Sequence, residues 1–470
     1  MSLLFDIIQP TNKTRPWFFY LFCVAIFLLI AVPKLNVKIG PVPFYFMDPI
    51  LFITFIFSYK LPAAKSNFNW MILALTGFII ISEIFGLFQP NVSIEPIYSL
   101  IRTLLAVSIF FSARKLIVDY YDLRIVLLVV LVASSITGLL LIFTSIPATR
   151  GFLENNLFKF SFLEPATQGL LNKWDGSVDK AIRGRSLVGV SIMSGYFIGF
   201  CWPLVLFLKN FPASFLNSFK INNTIVLGVL LLIISIVMTY SRGPLLGLAI
   251  AVLYLIYANK NNFRLVVLGF GMVLFSAFYF IGFESEMFFF SRIVNSSEVA
   301  VSGSSEFGRS ETERLNAYVE PFEKLIDHPE LFLFGTGFGG DVYSDLGNEN
   351  LADHAVFAKA IYGYGLIASL LYFVILGYSL QFTYKLTREK NNPLGYKLSK
   401  TLLLSILGIV PWFLFGHAIV SQVRGATLFY FLIALVSIQE TITQNQFIVT
   451  NFLLQSHPDN HQNQPTQVNP

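Results

Sequence analysis

Between Gly282 and Gly365 runs the longest polar stretch of an otherwise apolar chain, and it concentrates the side chains able to do chemistry. Arg292, Arg309 and Arg314 lie in it, with the glycine run GTGFGG at 335–340 and His354 at the foot of the next apolar segment. Guanidinium groups grip phosphate through paired N–H donors and stay charged at every working pH. A histidine beside a carboxylate, here Asp353, can serve as a general base, because the carboxylate fixes its tautomer. A helix-capping or interfacial histidine would occupy the same position. Arg309 and Arg314 open a stretch of helical periodicity, where a cation opposes the helix dipole. A bound anion, or Glu311 and Glu313, would offset that.

A second candidate anion site is Arg242 in YSRGPLLG, between two apolar runs. A charged residue at membrane depth costs about 2.5–3.5 kcal/mol, so it is kept for a partner. Gly243 and Pro244 suit a chain that turns and restarts a helix, whose first amides add donors. The plainer reading is a loop arginine that reaches to the interface. Arg183 and Arg185, in AIRGRSLVGVS, could serve the same anion or be ordinary solvated loop cations. Gly335, Gly337 and Gly340 fit the dinucleotide spacing G-x-G-x-x-G, but no strand–helix–strand pattern surrounds them, and that function is rejected. Gly335, Gly337 and Gly339 remain candidates for close backbone approach to a sugar or phosphate, with a flexible turn as the alternative. His417 reads as a structural hydrogen-bonding group. No HExxH, CxxC, DxD or P-loop pattern occurs, so no metal site, nucleotide site or cofactor is expected.

The elements that must position these residues are membrane spans. Hydrophobic residues make up 55% and charged residues 13% of the chain, against roughly 25% charged in a soluble domain. Mean hydropathy is +0.67. Apolar runs near 20 residues recur, and backbone groups in lipid must bond within their own segment, so the expected fold is all-α and polytopic. Twelve spans are predicted, at 17–32, 43–58, 70–88, 97–113, 124–146, 187–208, 223–239, 243–258, 264–283, 355–379, 401–419 and 425–440. The second and fourth carry the weakest signals, with Pro43, Pro49 and Pro96 near their starts and Arg102 inside the fourth. With a cytoplasmic N-terminus, the inner connections hold most of the Lys and Arg, among them Lys13, Arg15, Lys60, Arg114, Lys115, Lys385 and Lys400. The short outer ones hold Lys34, Lys38, Arg242 and Arg424. The positive-inside rule then puts both termini in the cytoplasm and the long loops 147–186 and 284–354 outside.

This gives an organisation of N-terminal helices (1–146), a first long outer loop (147–186), central helices (187–283), a large outer loop (284–354), C-terminal helices (355–442) and a polar tail (443–470) expected to be disordered. Within the large loop, Ser310 and Glu313 have capping-box spacing. Leu315, Val319, Phe322, Leu325 and Ile326 recur at helical spacing, predicting an amphipathic helix over 311–327 that stops before Pro329. The connection 380–400 reads as a basic cytoplasmic loop. The first apolar run has no small-residue cleavage site after it and reads as a span. Cys23 and Cys201 both lie in apolar runs and are expected as free thiols. Nothing in the charge pattern points to nucleic acid.

SRGPLLGLAI following a span, then ERLNAYVEPFEKLIDHPELFLFGTGFGG and DHAVFAKAIYGYGLIAS, resemble the corresponding segments of the bacterial O-antigen ligase and polymerase superfamily. That family carries a histidine, usually followed by Asn, Ser or Gln, then nine residues and Gly-x-x-Gly. Here His354 is followed by Ala355, nine residues to Tyr364, then Gly365 and Ala368, so Ala355 and Ala368 depart from it. RGRSLVGVS entering a span is similar to the segment after the family's other outer loop. The likeness covers about 180–370.

The resemblance implies a metal-independent glycosyltransferase of GT-C-like, all-helical membrane architecture in the bacterial inner membrane. Its donor would be a glycan on polyprenyl pyrophosphate, and its acceptor a second glycan or a lipid core. A chain-length regulator protein would be a partner. Arg242 with Arg183, Arg185, Arg309 and Arg314 would neutralise the pyrophosphate, and His354 would deprotonate or orient the acceptor hydroxyl. The expected activity is polymerisation of lipid-linked repeat units. The alternatives are ligation to lipid core and, from a different class, transport of lipid-linked glycans. Against transport, the charges gather in outer loops and no internal repeat is evident.

Overall fold

A computed structural model describes residues 15–33, 35–39, 42–63, 65–87, 95–156, 186–188, 191–211, 219–239, 241–258, 329–335, 337, 356–388, 393–415, 425–439 and 442. The predicted span 264–283, the amphipathic helix 311–327, His417 and the tail 443–470 lie outside them. The described chain is a helical bundle with one short hairpin. Its helices are α1 (Trp17–Ala31), α2 (Met47–Ser58), α3 (Asn67–Leu87), α4 (Glu95–Leu116), α5 (Tyr120–Ser145), α6 (Pro147–Asn156) and α7 (Ser191–Phe207). There follow α8 (Phe219–Val237), α9 (Arg242–Ala258), α10 (Pro329–Phe334), α11 (Val356–Leu386), α12 (Pro393–Phe415) and α13 (Gly425–Gln439).

Among the described residues, four stretches are long and apolar enough to cross a bilayer: Asn67–Leu87, Tyr120–Ser145, Gly363–Leu386 and Leu394–Trp412. Shorter apolar helices occupy most of the other predicted spans. Every residue of α13 is buried, as expected of a helix apolar on all sides and enclosed by others. Its Phe431 meets Phe22 of α1 and Phe200 of α7, and its Phe429 stacks on Tyr372 of α11. Several hydroxyl groups inside the bundle return to their own helices. Thr54 donates to the Ile50 carbonyl, Thr76 to Ile72 and Ser379 to Ile375, at 2.6–2.7 Å, so they carry no unmet polarity into an apolar interior. Cys23 and Cys201 are free and buried, as expected.

The structure redraws several boundaries. The second predicted span begins as an antiparallel hairpin, β1 (Asn36–Ile39) with β2 (Val42–Tyr45), in which Lys38 pairs with Pro43; the helix starts only at Met47. Proline at 43 denies a helix its donor and suits a two-stranded edge. The loop assigned to 147–186 opens as α6. The basic connection assigned to 380–400 is mostly helix, because α11 runs on to Leu386 and α12 restarts at Pro393, the first helical position where proline fits. The start of α5 is fixed by a local cap. Asp119 accepts from the Asp122 amide at 2.8 Å, Asp122 accepts from the Val118 amide at 3.2 Å, and Asp122 also pairs with Arg15.

Candidate active site

The segment around Arg242 is built by glycine packing. Ser241 is buried and precedes α9; its carbonyl accepts the first helical bond, from the Leu245 amide at 3.3 Å, and its hydroxyl donates to the Thr239 carbonyl at 3.1 Å. Arg242 is therefore the first residue of α9. A cation there opposes the helix dipole. Its side chain lies outside the described residues. Gly243 lies against Tyr196 of α7, where a Cβ would overlap the Tyr196 hydroxyl. One turn on, Gly247 meets the backbone of Gly408 on α12, and Gly408 meets Gly199 on α7. Pro244 fills the space beside Gly195. Two small-x-x-x-small pairs, Gly195/Gly199 and Gly243/Gly247, thus bring α7, α9 and α12 to backbone contact, the mode that favours close helix association in lipid. Tyr196 in turn stacks on Trp412, with centroids 5.1 Å apart and planes at 5°.

The second arginine segment ends on the same helix. Arg183 and Arg185 lie outside the described residues, but the next residue, Ser186, is buried and hydrogen-bonded to Ser194 of α7 at 2.7 Å, and it accepts from the Val188 amide at 3.1 Å. Ser194 and Tyr196 are two residues apart on α7, a rise of about 3 Å. One helix therefore anchors the residue after Arg185 and the residue after Arg242.

The glycine run is the best-described part of the large loop. Sequence reasoning ended structure before Pro329 and missed α10, although Pro329 at its first position and Gly335 just past its end are the usual start and stop signals. Gly335 and Gly337 have positive φ, 78° and 73°, and both are buried. The close approach they make is to this protein's own backbone: Gly335 to Gly363 and Gly365, and Gly337 to Ser82 and Glu83. Gly339, Arg292, Arg309, Arg314 and His354 lie outside the described residues.

Polar residues within predicted spans also appear to which the sequence reading gave no role. Glu83 on α3 is fully buried and lies beside Gly337 and Tyr364. Arg102 on α4 pairs with Asp48 of α2 at 3.9 Å and lies over the Tyr45 ring, 4.2 Å from its centroid. The available signal was an ionisable residue within each predicted span, which marks a functional or paired position by default. Thr103, Tyr364, Ser369, Tyr372 and Tyr430 are among the residues that line a small cavity beside the break in α11 at Gly365, with room for about one water molecule.

Among known proteins, residues 227–373 match the family model described as O-Antigen ligase. This stretch begins within α8, contains Arg242 and the large loop, and ends within α11. No curated protein matches the chain. With the apolar helices, the match supports a multi-pass membrane protein that carries a domain of the O-antigen ligase type. Residues 227–373 thus resemble the O-antigen ligase family, and the match supports an assignment to the ligase and polymerase superfamily.

Proposed function

We propose that the protein polymerises polyprenyl-pyrophosphate-linked oligosaccharide repeat units on the periplasmic face of the inner membrane. The observation that carries this reading is the family match over residues 227–373, which takes in Arg242 at the start of α9 and the large loop with Arg309, Arg314 and His354. Arg309 and Arg314 are further candidates, beside Arg242, for a pyrophosphate clamp. In the reaction, the bond between the anomeric carbon and the pyrophosphate oxygen breaks, and a bond from that carbon to the acceptor oxygen forms. The lipid pyrophosphate leaves with the electron pair, and the acceptor hydroxyl's proton passes to His354. Arginines fixed on the leaving group stabilise the developing charge without reorganisation. The leaving group is already activated, so metal assistance is not required. The large outer loop covers the cleft and excludes water from the donor. In this reading the segments 1–146, 187–283 and 355–442 form the membrane scaffold, 147–186 and 284–354 face the periplasm, and a chain-length regulator protein docks on the assembly.

The description of the matching family favours one second reading, transfer of the glycan to a lipid core. Both are tested by placing the protein in liposomes with a lipid-linked glycan, acceptors and no nucleotide. Longer lipid-linked chains are expected, lost in Arg242→Ala and His354→Ala. Glycan on lipid core instead identifies the ligase. Donor crossing between leaflets without a new glycosidic bond overturns both and identifies a transporter.

A further inference from the structure

The ends of α9 and α11 and the start of α12 meet in a cluster of tyrosines and cations. Tyr254 and Tyr257 lie near the end of α9. Tyr384, Lys385, Thr387 and Arg388 close α11, and Tyr396, Lys397 and Lys400 lie near the start of α12. Helix α12 packs against both of the others. The Tyr254 hydroxyl lies beside the Thr387 side chain, with Tyr257, Tyr384 and Tyr396 as its electrostatic neighbours. Arg388 is exposed. Its Nη2 donates to the Tyr384 hydroxyl at 2.9 Å, and its guanidinium lies 4.7 Å from the centre of that ring. A guanidinium carries five donors, so Arg388 can hold Tyr384 and an anion together.

The charge here is of one sign. Among the described residues 254–258, 377–388 and 393–400 there is no carboxylate, against the cations Lys385, Arg388, Lys397 and Lys400. Glu389 follows in the sequence and is itself followed by Lys390. The cluster also ends an apolar strip. Leu370, Val374, Gly377, Gln381, Tyr384 and Arg388 are exposed and recur at helical spacing, so one face of α11 runs from apolar side chains to a phenol and a guanidinium. A Cβ at Gly377 would meet nothing within 4 Å, which leaves a dent in that face. Leu246, Leu253 and Tyr257 make the same progression along α9, and Tyr257 is 73% exposed. From position 370 to 384 the strip measures about 21 Å at the helical rise, enough for the acyl chains of one leaflet, about 15 Å deep.

We propose that this corner of the bundle binds an anionic phospholipid: Lys385 and Arg388 hold the headgroup phosphate, Tyr257 and Tyr384 lie at the level of the headgroup, and the acyl chains cover the strip that leads back to Leu370. The strip decides for a lipid over a soluble phosphate. A free anion would use the cations alone, whereas an amphiphile uses both halves of the surface.

Native mass spectrometry of the full-length protein in detergent, titrated with dioleoylphosphatidylglycerol or dioleoylphosphatidylcholine, tests this. The phosphatidylglycerol is expected to bind more tightly. A cation near an anionic headgroup is worth about fivefold in affinity, so Lys385→Gln/Arg388→Gln should weaken phosphatidylglycerol by about 25-fold and leave phosphatidylcholine unchanged. Lys60→Gln/Lys65→Gln removes the same charge between α2 and α3, at the end of the bundle where Asn67 meets Tyr378 of α11. It should leave both lipids unchanged. Equal affinity for the two lipids overturns the proposal. So does an equal loss in the two charge pairs, since net charge and not a site would then be at work. Displacement of phosphatidylglycerol by glycerol phosphate overturns it in favour of a soluble anion. The other occupants of this face are chain segment 264–283 and a second copy of the protein. Cys23 and Cys201 are buried, so in Tyr257→Cys a thiol reagent reads position 257 alone. Labelling in detergent that phosphatidylglycerol slows is expected, and protection without added lipid overturns the proposal.

Discussion

The Tyr196 hydroxyl lies directly against Gly243, in the space where any other residue would carry its Cβ. The glycine after Arg242 is therefore required by packing, independently of any ligand. Gly243→Ala forces Tyr196 off its stack on Trp412, and overpacking of that kind costs about 1–3 kcal/mol. Thermal unfolding in detergent should show a lowered midpoint. Tyr196→Phe, which removes the obstructing oxygen, should recover part of the loss in the double variant, a positive coupling between touching residues.

Arg242 begins α9 where a cation is electrostatically disfavoured. Arg242→Ala should therefore leave the melting temperature unchanged or slightly raised while turnover falls about 100-fold or more, as when a preorganised charge partner is removed. Arg242→Lys restores the charge without the planar fork and should recover only part of the rate. Activity and melting measured on the same preparations check both expectations.

Ser186 ties the end of the Arg183–Arg185 segment to Ser194. Ser186→Ala breaks that tie and leaves both arginines in the chain. If the segment supplies a pyrophosphate contact, donor KM should rise several-fold, and the change should be absent in the Arg183→Ala/Arg185→Ala background. A donor titration in the three variants decides it.

Asp48 and Arg102 are both nearly buried, and Arg102 also lies over Tyr45. Removing one member of a buried pair strands the other's charge, at a cost of up to about 3–5 kcal/mol. Asp48→Asn and Arg102→Gln should each lower stability. The double variant should lose less than the sum, because no charge is stranded in it. Denaturation of all four proteins in one detergent measures the coupling.

Hydropathy alone located most of the helices, because a bilayer fixes the length and composition of whatever crosses it. Trp17–Ala31, Asn67–Leu87, Tyr120–Ser145 and Arg242–Ala258 fall within a few residues of their expected bounds. The sequence was less informative at Pro43, where apolar content continues through a hairpin that periodicity does not separate from a helix. It also missed α10, whose six residues are too few for a periodic signal and are marked only by Pro329 and Gly335.

The chemistry divides in the same way. Residue type and order in the chain were enough to single out Arg242, the other loop arginines, His354 and the glycine run, since charge and hydrogen-bonding capacity belong to the side chains themselves. Tertiary structure alone decided why the glycines are there. Gly243, Gly335, Gly337 and Gly365 are set by backbones that meet across long separations in sequence, and a linear chain carries no record of which backbone will arrive. The same holds for Ser82, an ordinary hydroxyl in an apolar span until the tertiary fold brings the Gly363 carbonyl to within 2.6 Å of it.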